Sequence, residues 1–184
     1  MAFERVGSEE IWSGKIATVR VDRVRYDDGD EADREVVAHP GAVAIVAHDG
    51  ERLYLVAQPR EAVDEQALLE LPAGKLDEEG EGPLETAKRE LAEEIGKGAR
   101  EWRHLTTFFT SVGICDEQVH VYLATGLSDQ EAEPPDHNER IEVHAVPLAD
   151  LDATIRDCRD AKTLIGLLWL KEMLGGGGLT EPPH

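Results

Sequence analysis

The chain has 184 residues, in which 39 Asp and Glu face 19 Lys and Arg, giving a formal net charge of −20. So large a negative surplus excludes a partner held mainly through a nucleic-acid backbone or an anionic membrane surface, because both are polyanions. The length suits one domain with a core of its own, and nowhere do the roughly eighteen apolar residues of a membrane span stand together.

The N-terminal MAFERVGSEEIWSGK carries no apolar run of the kind a signal peptide needs. Cys115 and Cys158, the only cysteines, lie in unrelated contexts, so neither a disulfide framework nor a zinc spacing is present and a cytoplasmic, reducing setting is expected. From Trp12 to Val37 residues alternate in polarity around Asp27-Asp28-Gly29-Asp30, which predicts an antiparallel hairpin. Two apolar strands, Ala42–Ala47 and Leu53–Gln58, follow across His48-Asp49-Gly50-Glu51, whose Asp-Gly pair is a hairpin signal. A Leu71-Pro72-Ala73-Gly74 turn leads to a helix beginning after Pro83, which lacks the N–H that a first helical turn leaves unused.

Strands are then expected at His104–Thr110, Val119–Ala124 and Glu142–Pro147. An amphipathic helix over Ala161–Leu174 should pack on the core through Leu164, Ile165, Leu168 and Met173. Gly175 to Gly178 and the closing Pro182-Pro183-His184 cannot prolong it, so residues 175–184 are expected to form a disordered tail.

The segment Gly74 to Gly96 reads GKLDEEGEGPLETAKRELAEEIG. At 3.6 residues per turn, Leu84, Ala87, Leu91 and Ile95 form its buried face, and Glu90, Glu93 and Glu94 share a stripe read as facing outward. Three carboxylates on one stripe are either a solvated face or a platform for a hard divalent cation, which takes oxygen ligands. The remainder of the segment favours the platform: Gly74 in its turn, Glu81 before the helix, Arg89 eight residues on and Gly96 closing it. On these residues the segment resembles the signature box of the Nudix hydrolases. It departs from that pattern in having six residues rather than five between Gly74 and Glu81, and Lys97 where an aliphatic residue is usual. The extra residue falls in Asp77-Glu78-Glu79-Gly80, where a turn can absorb it without moving the helix.

The resemblance implies an α/β fold, a Nudix-type α/β/α sandwich with a mixed sheet, preceded by an N-terminal antiparallel strand segment. It divides the chain into a β segment at 1–37 that serves dimerisation, a hydrolase domain at 38–174 and the tail. It implies Mg²⁺, with Mn²⁺ an alternative, held by Glu90, Glu93, Glu94 and the carbonyl of Ala73. Gly74, Glu81, Arg89 and Gly96 would be structural support, with Glu81 and Arg89 paired to brace loop against helix. Further stretches resemble the ADP-ribose pyrophosphatase branch: Arg34 to Ala44, Gln58-Pro59-Arg60, Leu69 to Gly74, and Ser111 to Glu117. In that branch a glutamate on a later loop acts as general base. Here the loop is Glu131–Ile141, with Glu139 the candidate and Glu142 the runner-up, while Glu93 is a further catalytic candidate within the box.

Arg60 would clamp phosphate through a bidentate guanidinium, and Arg34 and Glu35 would reach the ligand of a neighbouring subunit in a homodimer. The implied reaction is ADP-ribose plus water giving AMP and ribose 5-phosphate. The alternatives are hydrolysis of another nucleoside-diphosphate sugar, such as GDP-mannose or ADP-glucose, and a sensor that binds ADP-ribose without cleaving it. The retained Glu90, Glu93 and Glu94 argue against the sensor.

Overall fold

A computed structural model of the protein describes residues 2–131 and 140–176. The chain forms two compact units, one made of Met1–Gly41 and Phe108–Gln118, the other of Ala42–Thr107 and Val119–His184.

In the first unit, β1 (Phe3–Ser13), β2 (Thr18–Tyr26) and β3 (Glu31–Ala38) form an antiparallel sheet in that order. The β2–β3 turn lies at the expected Asp27 to Asp30, closed by a bond from Tyr26 N to Asp30 O of 2.9 Å, with Gly29 at φ +91°. β1 was not anticipated: all eleven of its residues are exposed, so it has no inward–outward contrast for a period of two to reveal. Its backbone pairs with β2 instead, in a register broken at Arg5/Gly7 and Glu10/Trp12. The segment after Phe109 joins this unit when Val37 N donates to Ile114 O at 2.7 Å and Arg20 pairs with Asp116 at 3.1 Å.

The second unit is built on a mixed sheet. Its strands are β4 (Ala42–His48), β5 (Arg52–Arg60), β6 (Glu65–Glu70), β7 (Ala73–Lys75), β8 (Lys97–Phe109), β9 (Gln118–Asp129) and β10 (Glu142–Pro147). They run in the order β10-β5-β4-β9-β8, with β6 beside β5 and β7 beside β4. β4 is parallel to β9 and antiparallel to β5 and β7. Among the described residues the unit also carries the α-helices α1 (Pro83–Ile95), α2 (Leu151–Asp157) and α3 (Ala161–Leu174).

β4 shows how the layers form. Val43, Ile45 and Ala47 pack with Ala87, Leu91 and Ile95 of α1, while the intervening Val46 turns to the opposite face. There a Cβ at Gly166 of α3 would lie 2.9 Å from Val46 Cγ2 and 2.6 Å from Leu71 Cδ1, so glycine is what lets the helix approach. Helices therefore cover both faces of the mixed sheet, as expected.

The bounds of β10 and α3 coincide with expectation, whereas β8 and β9 extend well past it. β6, β7 and α2 were not anticipated; β7 is three residues long within what reads as a turn, and α2 is only seven. The buried residues of α3 are Thr163, Gly166, Leu167 and Leu170, and Leu168, expected inward, is 47% exposed. α3 is apolar nearly all round, so periodicity alone cannot select its inner face. Residues 177–184, most of the expected tail, lie outside the described residues.

Candidate active site

α1 starts at Pro83 after Gly82 and ends at Gly96, whose φ of +65° would strain any side chain. Its carboxylate stripe meets β7 at Gly74. A Cβ on Gly74 would lie 1.9 Å from Glu90 Oε1 and 2.0 Å from its Cδ, so the space a side chain would take is filled by the Glu90 carboxylate. One residue earlier, Ala73 N donates to Glu94 Oε2 at 3.0 Å.

That contact corrects the outward placement of Glu94, which is buried at 8% exposure. Measured around the helix from Glu90, Glu94 lies about 40° away and Ala87 about 60°, so Glu94 borders the apolar arc. β7 then covers that border. Glu93, on the other side of Glu90, is only partly buried.

Arg89 ties the stripe to the preceding loop. Its Nε and Nη2 donate to the Glu81 carboxylate at 3.1–3.2 Å, and Nη1 donates to Glu90 Oε1 and to Glu93 Oε2, each at 2.9 Å. Thr86 Oγ1 adds a bond to Glu81 Oε2 at 3.0 Å, a partner the sequence did not suggest. Burial lowers the Arg89 pKa, but the bond to Glu81 and the charges of Glu90 and Glu93 outweigh it and hold the guanidinium more firmly protonated. The same bond from Arg89 pulls Glu81 below the usual carboxylate range, against a smaller opposing effect of burial.

An all-oxygen set of this kind suits a hard divalent cation rather than a soft one. Among the described residues no three His, Cys, Asp or Glu side chains are already gathered as a metal cage. Arg89 draws Glu90 and Glu93 to its own Nη1, so gathering them would mean exchanging part of that pairing for an ion.

Arg60, at the end of β5, directs Nε and Nη2 in a fork at Glu70, at 2.6 and 2.7 Å. Glu70 is 1% exposed and also bonds Lys162, which bonds Asp160 at 3.0 Å. Burial disfavours the charged Glu70, yet Arg60 and Lys162 hold its pKa below the ordinary value. A fork already spent on a carboxylate is not free for a phosphate; Nη1 is the nitrogen outside it. The charge of Glu94 contributes to raising the Arg60 pKa, after the bond to Glu70 and against burial.

Arg34 and Glu35 stand on β3 of the other unit, where Arg34 donates to Asp33 O at 2.9 Å and Tyr26 Oη at 2.7 Å. Glu139 lies outside the described residues. Glu142 begins β10 opposite Ala57 with its side chain 79% exposed and faces His144 at 3.5 Å.

The NUDIX domain family matches residues 38–165, about 70% of the chain. The chain belongs to the Nudix family. An ADP-ribose pyrophosphatase of Bacillus subtilis (strain 168) is 42% identical over 175 residues, covering 92% of this chain and 94% of that protein. Another, of Mycobacterium tuberculosis (strain ATCC 25618 / H37Rv), is 45% identical over 142 residues, 77% and 68% of the two chains. A structure titled as that of an ADP compounds hydrolase shares the fold at a TM-score of 0.83, with 22% identity and 98% of each chain covered. This Nudix chain is a pyrophosphohydrolase, and the stripe of α1 against β7 lies within the segment that resembles the Nudix box. No helix among the described residues is long and apolar enough to cross a membrane.

Proposed function

We propose that this protein hydrolyses the diphosphate of ADP-ribose, giving AMP and ribose 5-phosphate. The observation that carries the reading is end-to-end likeness to a protein named ADP-ribose pyrophosphatase, at 42% identity, together with the match to the NUDIX domain over residues 38–165. Glu90, Glu93, Glu94 and the carbonyl of Ala73 would hold Mg²⁺ or Mn²⁺. A bound divalent ion supplies neutralisation of the diphosphate charge and a lowered pKa for a water. Gly74 keeps room for the Glu90 carboxylate, Gly96 ends the helix, and Arg89 with Glu81 fixes the helix against its loop. Glu139 is the proposed base that takes the proton of the water attacking phosphorus, with Glu142 the alternative and Glu93, on the stripe itself, a further candidate.

Arg60 would offer phosphate its Nη1 while the rest of its fork holds Glu70. Arg34 and Glu35 would contact the adenine or ribose of a partner subunit's ligand, which requires a homodimer. The 1–37 segment would serve that dimerisation and 38–174 the hydrolase domain, within a cytoplasmic protein. A panel of ADP-ribose, ADP-glucose and GDP-mannose with Mg²⁺ or Mn²⁺ and product analysis tests the substrate. AMP and ribose 5-phosphate in equal amounts, with the highest kcat/KM for ADP-ribose, are expected; preference for another nucleoside-diphosphate sugar would replace the substrate and keep the chemistry.

A further inference from the structure

We propose that the N-terminus of α3, on the face of the sheet opposite α1, positions the cation-facing turn of the box through Thr163. The catalytic consequence rests on the cation-binding reading above; the mechanical part depends only on hydrogen bonds.

The connection can be followed atom by atom. Asp160 caps α3 by accepting from Thr163 N at 2.9 Å and from Thr163 Oγ1 at 2.6 Å. With its hydrogen given to Asp160, the Thr163 hydroxyl has lone pairs to offer, and Leu71 N donates to them at 2.8 Å. The neighbouring Glu70 is held from two sides, by the Arg60 fork of β5 and by Lys162 of α3, which also bonds Asp160. One turn further along α3, Gly166 lets the helix lie against the Leu71 side chain. Leu71 is therefore held by α3 at both its N–H and its side chain.

Little slack remains between Leu71 and the box. Pro72 has a fixed φ, and its carbonyl accepts from Ile45 N at 2.8 Å. Ala73 follows at once, paired with Ala44 in the ladder and donating its N–H to Glu94 Oε2. A shift at Leu71 must pass through this two-residue link to the peptide that holds Glu94. Thr163 touches no reacting atom and is a positioning residue, standing further out than a group that bonds a metal ligand directly.

Thr163→Val keeps the side-chain shape and removes the hydroxyl, while Thr163→Ser keeps the hydroxyl; Lys162→Met is a second probe should the valine variant fold poorly. The readouts are amide hydrogen exchange at Ala73 in metal-free protein, the Kd for Mn²⁺ alone, and kcat and KM for ADP-ribose. Thr163→Val is expected to speed exchange at Ala73 and raise the Mn²⁺ Kd about tenfold, lowering kcat more than it raises KM, with Thr163→Ser near wild type. Wild-type exchange at Ala73 in Thr163→Val overturns the proposal, as does a lower Tm with an unchanged Mn²⁺ Kd. Faster exchange at Ala73 in a protein whose wild type binds no Mn²⁺ supports the positioning and overturns the cation reading instead.

Discussion

Two charged networks meet at the strand pair that leads into the box, and they are built on opposite rules. Around Glu70, two carboxylates, Glu70 and Asp160, face two cations, Arg60 and Lys162. Along α1, Glu81, Glu90 and Glu93 share the one guanidinium of Arg89, with Glu94 beside them. The first network is balanced and can be buried as it stands, whereas the second carries a surplus of negative charge that a cation would relieve. Burial of a carboxylate in this protein thus goes with two different settings: Glu70 is enclosed between the cations Arg60 and Lys162, and Glu94 lies under β7, where it accepts the Ala73 N–H.

The contrast predicts unequal responses to removing a charge. Glu70→Gln leaves Arg60 and Lys162 facing a neutral amide in a buried place and should cost about 3 kcal/mol of stability, read from denaturant unfolding. Glu94→Gln keeps an amide oxygen for the Ala73 N–H and relieves crowding with the neighbouring Glu90 and Glu93, and should cost less metal-free stability than Glu70→Gln. Equal losses from the two variants would erase the distinction.

Gly74→Ala should separate function from stability in the same region. The added Cβ meets the Glu90 side chain from its carboxylate back to Cγ, at 1.9–2.3 Å, rather than backbone, so the whole side chain has to turn away. The carboxylate can swing away at small cost to the fold, yet in doing so it leaves its place on the stripe. A fall in kcat/KM of about ten- to a hundredfold with a Tm within a few degrees of wild type is expected from steady-state kinetics and thermal melts.

Acid should act more gently and through both networks. Glu70, Asp160 and Glu81 all have folded pKa values below their ordinary ones: burial opposes the shift at Glu70 and Asp160 and their cationic partners prevail, and at Glu81 the bond from Arg89 leads. Groups depressed by folding contribute stability above their unfolded pKa and lose it as pH falls through the folded one. Tm should accordingly be flat near neutrality and fall once pH drops below about 4, where unfolded carboxylates begin to bind protons. Glu81→Gln should flatten that fall slightly; an unaltered acid slope would remove Glu81 from the account.

Much of this arrangement was legible in the sequence because local chemistry specified it. The turn at Asp27 to Asp30, the box helix after Pro83, and the bounds of β10 and α3 follow from turn residues and periodicity acting over a few positions. Features that depend on distant partners were not legible. Thr163 and Lys162 lie 92 positions from the residues they hold, and nothing in either segment announces the other. β1 escaped notice because a strand exposed along its whole length shows no polarity contrast. Glu94 was misplaced because a helical wheel gives an angle and not the neighbour that covers it. The sequence around Arg60 resembles that of a bidentate phosphate clamp, but Glu70 occupies that fork.

The most direct test follows AMP release from ADP-ribose by wild type and Glu94→Gln across a Mg²⁺ titration, with circular dichroism on both. Wild type should release AMP in a Mg²⁺-dependent way, and the folded variant should lose on the order of a hundredfold or more in kcat. Equal AMP release by the two proteins, or release by wild type that is indifferent to chelation of divalent ions, would contradict a cation held on the α1 stripe.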